Sequence, residues 1–380
     1  MIQVKSNEPN KIIEDWQRLV ELLPQGWEAK ARELGALKFG RSFSGPESLL
    51  RTLLIYLSDD CSMLETAERA RLGELVKISD VGLLKRINKS GPWLRWITEN
   101  LIQEKPPGVM QSGVLGGRRL FAVDGSVVSE PGAVTHTWRL HYKLDVGTLQ
   151  CEEAQLTPVK TGESLTLFSV QKNDIVMADR GFANRRGVNH VLDAGGDVLL
   201  RMNLKNLPLT NESGEDFNQL VHLRSLKKGQ VGQWSAVMEG TNGPVSVRVC
   251  AYRKTDEQRL KSERKQRQAA QKKQKKLRPE TIEAAGYVVV VTTLKELEAS
   301  AIMDLYRHRW QVELAFKRMK SLLGMSRLRK KDPEGAKAWL QGKLLVACLI
   351  ERLIVLGEHF SPLDDFEQDE TSETTSMPMA

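Results

Sequence analysis

The chain has 380 residues, a formal net charge of +8 and an isoelectric point of about 9.2, and 41% of its residues are hydrophobic. Its mean hydropathy of −0.36 is typical of a globular protein, and the excess of positive charge favours a polyanionic partner. The four cysteines form no CxxC pair and the six histidines form no HExxH motif, which argues against a structural zinc site. With no signal peptide and no apolar run long enough to span a bilayer, the sequence predicts a cytoplasmic protein that does not bind membranes.

Residues 1–112 are predicted to form an all-helical N-terminal domain. Pro46 lies in the first turn of a leucine-rich helix, where a missing backbone N–H is tolerated. Ser62 and Glu65 have the spacing of a capping box, in which each side chain accepts a hydrogen bond from the backbone N–H of the other residue. A second helix is therefore expected to begin there.

A short basic helix is predicted over residues 81–88, where it carries Lys85 and Arg86. Ser79 provides a cap, and a turn at Gly73 separates this helix from the preceding one. A helix, a turn and a short basic helix are compatible with a helix-turn-helix unit that places these side chains in a DNA groove. The same pattern is also compatible with a plain helical bundle that packs on the rest of the protein, and the residues leave both interpretations open.

Residues 113–205 alternate between strand and helix patterns. Such alternation is typical of an α/β fold with one central sheet. The predicted strands lie near 119–124, 135–146, 149–159, 174–179 and 197–202, and the predicted helices lie near 163–170 and 184–195.

Two aspartates in this region, Asp124 and Asp179, each follow four apolar residues. A glycine comes after each of them, directly after Asp124 and one residue later after Asp179, so each acid is predicted to end a buried strand at a turn. Acids at the C-terminal ends of strands lie where open α/β sheets bind ligands. Either acid alone is better explained as a turn residue or a helix cap, but two such acids together with a third favour a metal site.

Residues 206–285 are predicted to form a β-rich insertion, because apolar and polar residues alternate over 232–238 and 245–249. Between Arg253 and Pro279, twelve Lys or Arg residues stand against three Asp or Glu. This helix-favouring basic stretch is a candidate for contacts with DNA phosphates. A solvated linker helix explains the same charge pattern, so both interpretations stay open.

Residues 286–360 are predicted to contain the last core strand, beginning near Tyr287, then a helix that carries Glu313, and a C-terminal helix. On a single helix, one arc of roughly 80° would hold Tyr306, Arg309, Glu313, Lys317 and Lys320, beside an apolar arc. A lone carboxylate among cations suits a metal ligand next to a phosphate backbone, and a solvated amphipathic helix is the alternative. Residues 361–380 carry six acids and no base, which predicts a disordered acidic tail.

The spacing of these residues resembles a known family, the DDE transposases of bacterial insertion sequences. Its signature is Tyr, two residues, Arg, three residues, Glu, six residues, Lys, and this chain matches it with Tyr306, Arg309, Glu313 and Lys320. Asp124 and Asp179 stand in contexts similar to the family's strand-end motifs. The resemblance covers roughly residues 40–350. It implies a ribonuclease H-like catalytic core, with the first and fourth strands adjacent, in an α/β protein that has a β-rich insertion and a helical N-terminal domain.

For the active site, the resemblance implies a catalytic and metal-binding triad of Asp124, Asp179 and Glu313. The implied cofactor is Mg²⁺, with two ions per site, and an all-carboxylate site also accepts Mn²⁺. The DNA contacts implied or expected come from the signature residues and their neighbours, namely Tyr306, Arg309, Lys320, Lys317, Arg180 and Trp310. Trp310 is also a candidate platform on which an unpaired base stacks, although tryptophan more often packs in a core.

The implied function is a DNA transposase that cuts an insertion sequence at its terminal inverted repeats and joins the 3′-OH ends to target DNA. A homodimer is expected to hold the two ends together, bound to the bacterial nucleoid, with residues 1–112 binding the DNA ends. Two alternatives remain: an inactive or repurposed transposase that regulates by binding DNA, and another nuclease on the same fold. A phosphatase of the haloacid dehalogenase type is excluded, because that chemistry needs an acid at the position of Ser126.

Overall fold

The structure is a computed structural model that describes residues 16–38, 42–59, 61–104, 116–129, 137–202, 204–325, 328 and 332–359. These residues divide into two units, one built from the N-terminal helices with the C-terminal helix, and one that contains the sheet. The tail over 361–380, predicted to be disordered, lies outside the described residues. No described helix is both long enough and apolar enough to cross a membrane.

The helices are numbered here in chain order. They are α1 (Trp27–Glu33), α2 (Pro46–Ser58), α3 (Met63–Leu72), α4 (Asp80–Gln103), α5 (Arg185–Asp193), α6 (Gln219–Arg224), α7 (Asp256–Lys272), α8 (Pro279–Ala284), α9 (Ala299–Arg307), α10 (Trp310–Ser321) and α11 (Pro333–His359). The strands are β1 (Leu120–Val128), β2 (Trp138–Asp145), β3 (Gln150–Pro158), β4 (Ile175–Ala178), β5 (Asp197–Arg201), β6 (Val231–Gly240), β7 (Gly243–Arg253) and β8 (Tyr287–Thr292).

In the first unit, α2 and α3 begin where the sequence predicts. Pro46 is the first residue of α2, and the capping box of α3 is formed, with Ser62 N–H donating to Glu65 Oε2 at 2.7 Å and Glu65 N–H donating to Ser62 Oγ at 3.2 Å. These bonds satisfy backbone donors that have no partner inside the helix.

The short helix predicted over 81–88 is wrong in length. Ser79 does cap α4, accepting from the N–H of Gly82, but the helix continues through Pro92 to Gln103. Arg86 is also committed to the fold, because its Nη1 donates to the carbonyl of Ala36 at 2.8 Å. The structure thus differs from the helix-turn-helix interpretation, which expects a short helix whose basic side chains are available to DNA.

The C-terminal helix α11 belongs to the first unit, whereas the sequence grouped it with the catalytic segments. It packs on α4 and α2 through small residues. Gly91 of α4 faces Ala338, and Gly342 faces Leu57 so closely that an added Cβ would lie 2.5 Å from Leu57 Cδ1. This close helix packing depends on residues more than 200 positions apart in the chain, a distance that local pattern does not reveal.

In the second unit, one eight-stranded sheet has the order β3-β2-β1-β4-β5-β8-β7-β6. Strands β1, β2 and β3 are antiparallel neighbours, and β1, β4 and β5 are parallel neighbours. The expected adjacency of the first and fourth strands is therefore confirmed, with Val123 opposite Ala178 as the last pair.

The helix predicted over 163–170 is wrong. Short 3₁₀ turns at Val159–Thr161 and Leu165–Leu167 replace it. The N–H of Thr166 donates to Ser164 Oγ, and the buried side chains of Leu165 and Phe168 are three residues apart, which matches the period of a 3₁₀ turn. The segment therefore covers the sheet without an α-helix.

The β-rich segment 206–285 joins the main sheet. Strands β6 and β7 form a hairpin, β7 pairs with β8, and β8 pairs with β5 at the point where Leu200 lies opposite Val291. The predicted return of the chain to the core near Tyr287 is thus confirmed by β8. The basic helix is also present as α7, which has no buried residue.

We predict that Ser62→Ala lowers the free energy of unfolding by about 1 kcal/mol, because it removes the side-chain half of the α3 cap. Chemical denaturation followed by circular dichroism measures this. Ser58→Ala is the control, since the exposed Ser58 hydroxyl bonds only the carbonyl of Leu54 within its own helix. Equal effects of the two substitutions would contradict the role of the cap.

Candidate active site

Asp124 and Asp179 lie side by side at one edge of the sheet. Each comes one residue after the last paired position, Val123 opposite Ala178, of the parallel strands β1 and β4. Neighbouring strands are about 4.8 Å apart, so the register sets the separation of the two acids. The residues that precede them in each strand are buried apolar side chains, which hold this part of the sheet in the core. Asp179 directly follows the last residue of β4, as the sequence predicts. The prediction that Asp124 ends its strand at a turn is wrong, because β1 continues to Val128 and stays paired with β2 beyond Asp124.

The single helix predicted for the signature residues is wrong: the chain forms two helices with a turn at His308 and Arg309. In this turn the N–H of Arg309 donates to the carbonyl of Tyr306 at 3.1 Å, and that of Gln311 donates to the carbonyl of His308 at 3.0 Å. These i to i−3 bonds tighten the backbone, as at many helix ends. Tyr306 therefore lies in the last turn of one helix, α9, while Glu313 lies in the first turn of the next, α10.

Tyr306 fixes the end of β4. Its side chain is buried, and its hydroxyl donates to the carbonyl of Ala178 at 3.3 Å, next to Asp179. Burial raises the pKa of Tyr306, and nearby Asp179 adds to this while Arg309 opposes it, so the hydroxyl stays protonated. Because its single proton is used inside the protein, the expected donation to a DNA phosphate is not the arrangement seen here.

Arg309 is paired with Glu313 one turn further along the chain. Its side chain is only 12% exposed, and its Nε is buried without a hydrogen-bond partner among the described residues. Its charge also acts on both aspartates. A single guanidinium therefore neutralises part of the negative charge of all three predicted acids.

A cavity of about 560 Å³ brings several of the predicted residues together. It is lined by Asp124, Gly125, Ser126, Glu313, Phe316, Lys317, Lys320 and Ser321. Asp179 lies outside this lining, and nowhere in the described parts of the chain do three or more acidic, His or Cys side chains meet at metal-binding distance. Asp124 and Glu313 thus share a cavity with two lysines.

The acids nevertheless have the chemistry of a hard-cation site. Asp179 Oδ1 is buried and has no hydrogen-bond partner among the described residues. Burial raises the pKa of Asp124 from 3.8 to about 6, with Glu163 and Glu313 adding to the rise, while the Gly125 N–H and Arg309 oppose it. A buried oxygen without a partner and a carboxylate that is costly to ionise are both stabilised by a divalent cation, so the residues fit such an ion.

One acid at this edge escaped the sequence reasoning: Glu163. It lies between the two 3₁₀ turns and pairs with Arg139, with 3.1 Å between Oε1 and Nη1. Its carboxylate packs over the glycines that follow the two aspartates, Gly125 and Gly181. The glycines were the available signal, because close approach of another group explains a glycine beside a strand end.

The remaining predicted residues lie outside the cavity of Asp124 and Glu313. Arg180 is exposed and lines a second cavity, of about 1100 Å³, together with Arg201 and Lys254. Trp310 is the first residue of α10 and is 57% exposed, so its ring is available to a ligand. Exposure of a large aromatic side chain agrees with a binding role.

The site combines two acids on adjacent strands, a glutamate on a packed helix and the lysines beside it. This combination defines a class of protein: enzymes that cut or transfer phosphodiesters with the help of divalent cations. Comparison with known proteins narrows this class. Residues 116–349 match the family model for the transposase DDE domain.

The chain is similar to several insertion-sequence proteins over nearly its whole length. It is 35% identical over 349 residues to the transposase for insertion sequence element IS421 of Escherichia coli, covering 89% of this chain and 93% of that protein. The InsL protein for insertion sequence element IS186A of Escherichia coli strain K12 gives 35% identity over 348 residues with the same coverage. The transposase for IS231C of Bacillus thuringiensis subsp. berliner is 23% identical over 394 residues, covering 91% of this chain and 82% of the relative.

The chain belongs to the DDE transposase family of bacterial insertion sequences. It is a DDE-type DNA transposase, and membership in this family implies that it acts on DNA with a divalent metal.

We predict that Asp124→Asn stabilises the metal-free protein at pH 7.5, by roughly 1–3 kcal/mol. The pKa of Asp124 is about 6 in the folded protein, above its ordinary value of 3.8, so the cost of ionising it in the folded state grows from about pH 4 and is complete above about pH 6. The amide removes that cost. Below about pH 4 both states hold the proton and the gain disappears. Urea denaturation in EDTA across this pH range measures it, with the exposed Asp304→Asn as the control.

A second prediction concerns Tyr306→Phe. The substitution keeps the ring but leaves the Ala178 carbonyl without its donor, so we expect the free energy of unfolding to fall by about 1–2 kcal/mol. The partly exposed Tyr252, whose hydroxyl bonds Gln258 at 3.2 Å, provides the control substitution Tyr252→Phe. Unchanged stability together with weakened DNA binding would instead support donation to a phosphate.

Proposed function

We propose that this transposase cuts its insertion sequence at the terminal inverted repeats and joins the released 3′-OH ends to target DNA. The observation that supports this most directly is the placement of Asp124 and Asp179 on adjacent parallel strands, each one residue past the last β1–β4 pair, with Glu313 in the cavity of Asp124. Cutting and joining are both phosphodiester displacements, so one site that holds a phosphate and an attacking oxygen serves both steps.

The catalytic core is proposed to be ribonuclease H-like. Three antiparallel strands followed by two parallel strands, in the order β3-β2-β1-β4-β5, support that assignment. Strands β8, β7 and β6 then extend the same sheet beyond β5 as an addition to the core.

Asp124, Asp179 and Glu313 are proposed to hold two Mg²⁺ ions, and their oxygen ligands would accept Mn²⁺ as well. When bound, such ions supply charge that activates an attacking oxygen and stabilises a leaving oxygen. Asp179 Oδ1 is buried and has no partner in the described part of the chain, so its lone pairs are available for this purpose. Glu313 has to be released from Arg309 before both its oxygens are available.

The cations beside the acids are proposed to position the scissile phosphate. Lys317 and Lys320 line the cavity and have no carboxylate partner among the described residues, so their charge is available to a phosphate. Arg309 is proposed to exchange Glu313 for a phosphate oxygen when DNA binds, since guanidinium pairs well with either anion. Tyr306 supports the reaction indirectly, by holding the strand end that carries Asp179.

Further DNA contacts are proposed outside the cavity. The basic helix α7 has no buried residue, and all its Lys and Arg side chains except Arg259, which pairs with Glu263, are exposed. These cations suit contacts with the DNA backbone that carry no sequence information. Arg180 follows Asp179 directly, and Trp310 lies three residues before Glu313; both are exposed and are proposed to contact DNA, the latter by stacking.

The assembly and cellular location also remain proposals. The helical N-terminal residues are proposed to bind the DNA ends, and a homodimer is proposed to hold two ends together, because a symmetric pair of inverted repeats suits a two-fold symmetric protein. Since its substrate is bacterial DNA, we place the protein in the cytoplasm at the nucleoid.

The test uses Glu313→Gln. Glutamine keeps the size of the side chain and its ability to accept from Arg309, but it lacks the charge that a divalent cation needs. We expect cleavage of a labelled duplex carrying the element's terminal repeat to fall by at least 10³-fold, as is usual when a site loses an essential group. Binding of the same duplex, measured by gel shift, should change by less than about threefold.

The exposed Glu239→Gln is the matched control for that test, since Glu239 also pairs with an arginine. Loss of DNA binding in proportion to cleavage would contradict a metal-binding role for Glu313. Specific binding by wild-type protein with no cleavage in Mg²⁺ or Mn²⁺ would favour the alternative of a transposase that now acts as a DNA-binding regulator.

A further inference from the structure

Glu163 lies against both strands that carry the aspartates, next to Gly125 within β1 and Gly181 just beyond β4. Its Oε1 lies 3.1 Å from the position that a Cβ on Gly125 would take. Its other oxygen, Oε2, lies so close to the corresponding position on Gly181 that a side chain there would displace the carboxylate. One carboxylate therefore lies against the glycine that follows each aspartate.

The two glycines are explained by this close approach. Neither glycine has the positive φ that would by itself favour this residue. Glycine is favoured at both positions because a side chain would crowd Glu163. An anion placed against two strands that already carry acids raises the electrostatic energy. Accordingly, burial raises the pKa of Asp124 and the charge of Glu163 adds to the rise. A third acid in such a place is costly unless a cation offsets it.

Arg139 offsets only part of this charge. Its Nη1 is 3.1 Å from Glu163 Oε1, and both side chains are partly exposed, at 17% and 30%. The pairing leaves Oε2, the oxygen over Gly181, without a hydrogen-bond donor among the described residues. That oxygen is therefore the available ligand, on the side of Asp179.

We infer that Glu163 is a fourth active-site carboxylate, which binds a divalent cation through Oε2 alongside the aspartate triad while Arg139 holds Oε1. This inference rests on the proposed function, since it assigns a further residue to the same metal site. No three acidic side chains of the described residues meet at metal-binding distance, so the proposal includes movement of the carboxylates toward the ion.

The test measures Mn²⁺ binding by electron paramagnetic resonance of free Mn²⁺, on full-length protein bound to a terminal-repeat duplex. Glu163→Gln should weaken Mn²⁺ binding by about tenfold or more, as loss of a ligand or of its support does. Duplex binding should stay within about twofold, because the variant keeps the size and polarity of the side chain. Glu239→Gln, which removes an exposed arginine-paired acid elsewhere, should leave both quantities unchanged.

Gly181→Ala is a second variant that leaves Glu163 chemically intact. The added methyl group must push the Glu163 carboxylate aside, and since only the end of a side chain has to move, the fold should survive. We expect Mn²⁺ binding to weaken in this variant too, with thermal unfolding close to that of the wild type. Unchanged Mn²⁺ affinity in folded Glu163→Gln and Gly181→Ala proteins would overturn the inference.

Asp124→Asn separates this inference from the proposed function. If Asp124→Asn loses Mn²⁺ but Glu163→Gln does not, the triad is correct and the fourth carboxylate is wrong. If Asp124→Asn and Glu313→Gln both bind Mn²⁺ as tightly as the wild type, the proposed metal site itself fails, and the inference fails with it.

Discussion

Parallel pairing of β1 with β4 is the constraint on which the candidate active site depends. These strands are far apart in the chain, and their register brings Asp124 and Asp179 to the same edge of the sheet. Buried apolar residues precede both acids, so a slip of the register would move apolar side chains out of the core. The core therefore fixes the separation of the two acids, and the other parts of the site are arranged around it.

The helices α9 and α10 add the third acid under a second constraint. Tyr306 anchors the end of α9 to the backbone of β4. Arg309 lies in the tight turn that follows, and Glu313 lies in the helix after this turn. Arg309 pairs with Glu313, and its charge also acts on Asp124 and Asp179, so it lowers the mutual repulsion of the three acids. A site so rich in acids lowers stability in exchange for affinity for cations, as active sites commonly do.

Most of the core could be predicted from sequence because its signals are local. The buried apolar runs before Asp124 and Asp179, the alternation of β6 and β7, and the fixed spacing around Glu313 all lie within short windows. The errors arose where long-range packing decides. The Tyr306 hydroxyl donates to a carbonyl 128 positions away in the chain. The helix is interrupted soon after Tyr306, at His308 and Arg309, although no proline or glycine in the sequence marks the interruption. Glu163 was missed because its partners, two glycines and an arginine on other segments, are adjacent only in the folded chain.

The most direct test of the account is a crystal structure of the protein with a terminal-repeat duplex and Mn²⁺, in which anomalous scattering locates the metal. The account predicts Mn²⁺ bound by Asp124, Asp179 and Glu313, with Arg309 moved from Glu313 to a DNA phosphate. Mn²⁺ bound elsewhere, or Arg309 still paired with Glu313 in a complex that cleaves DNA, would contradict it.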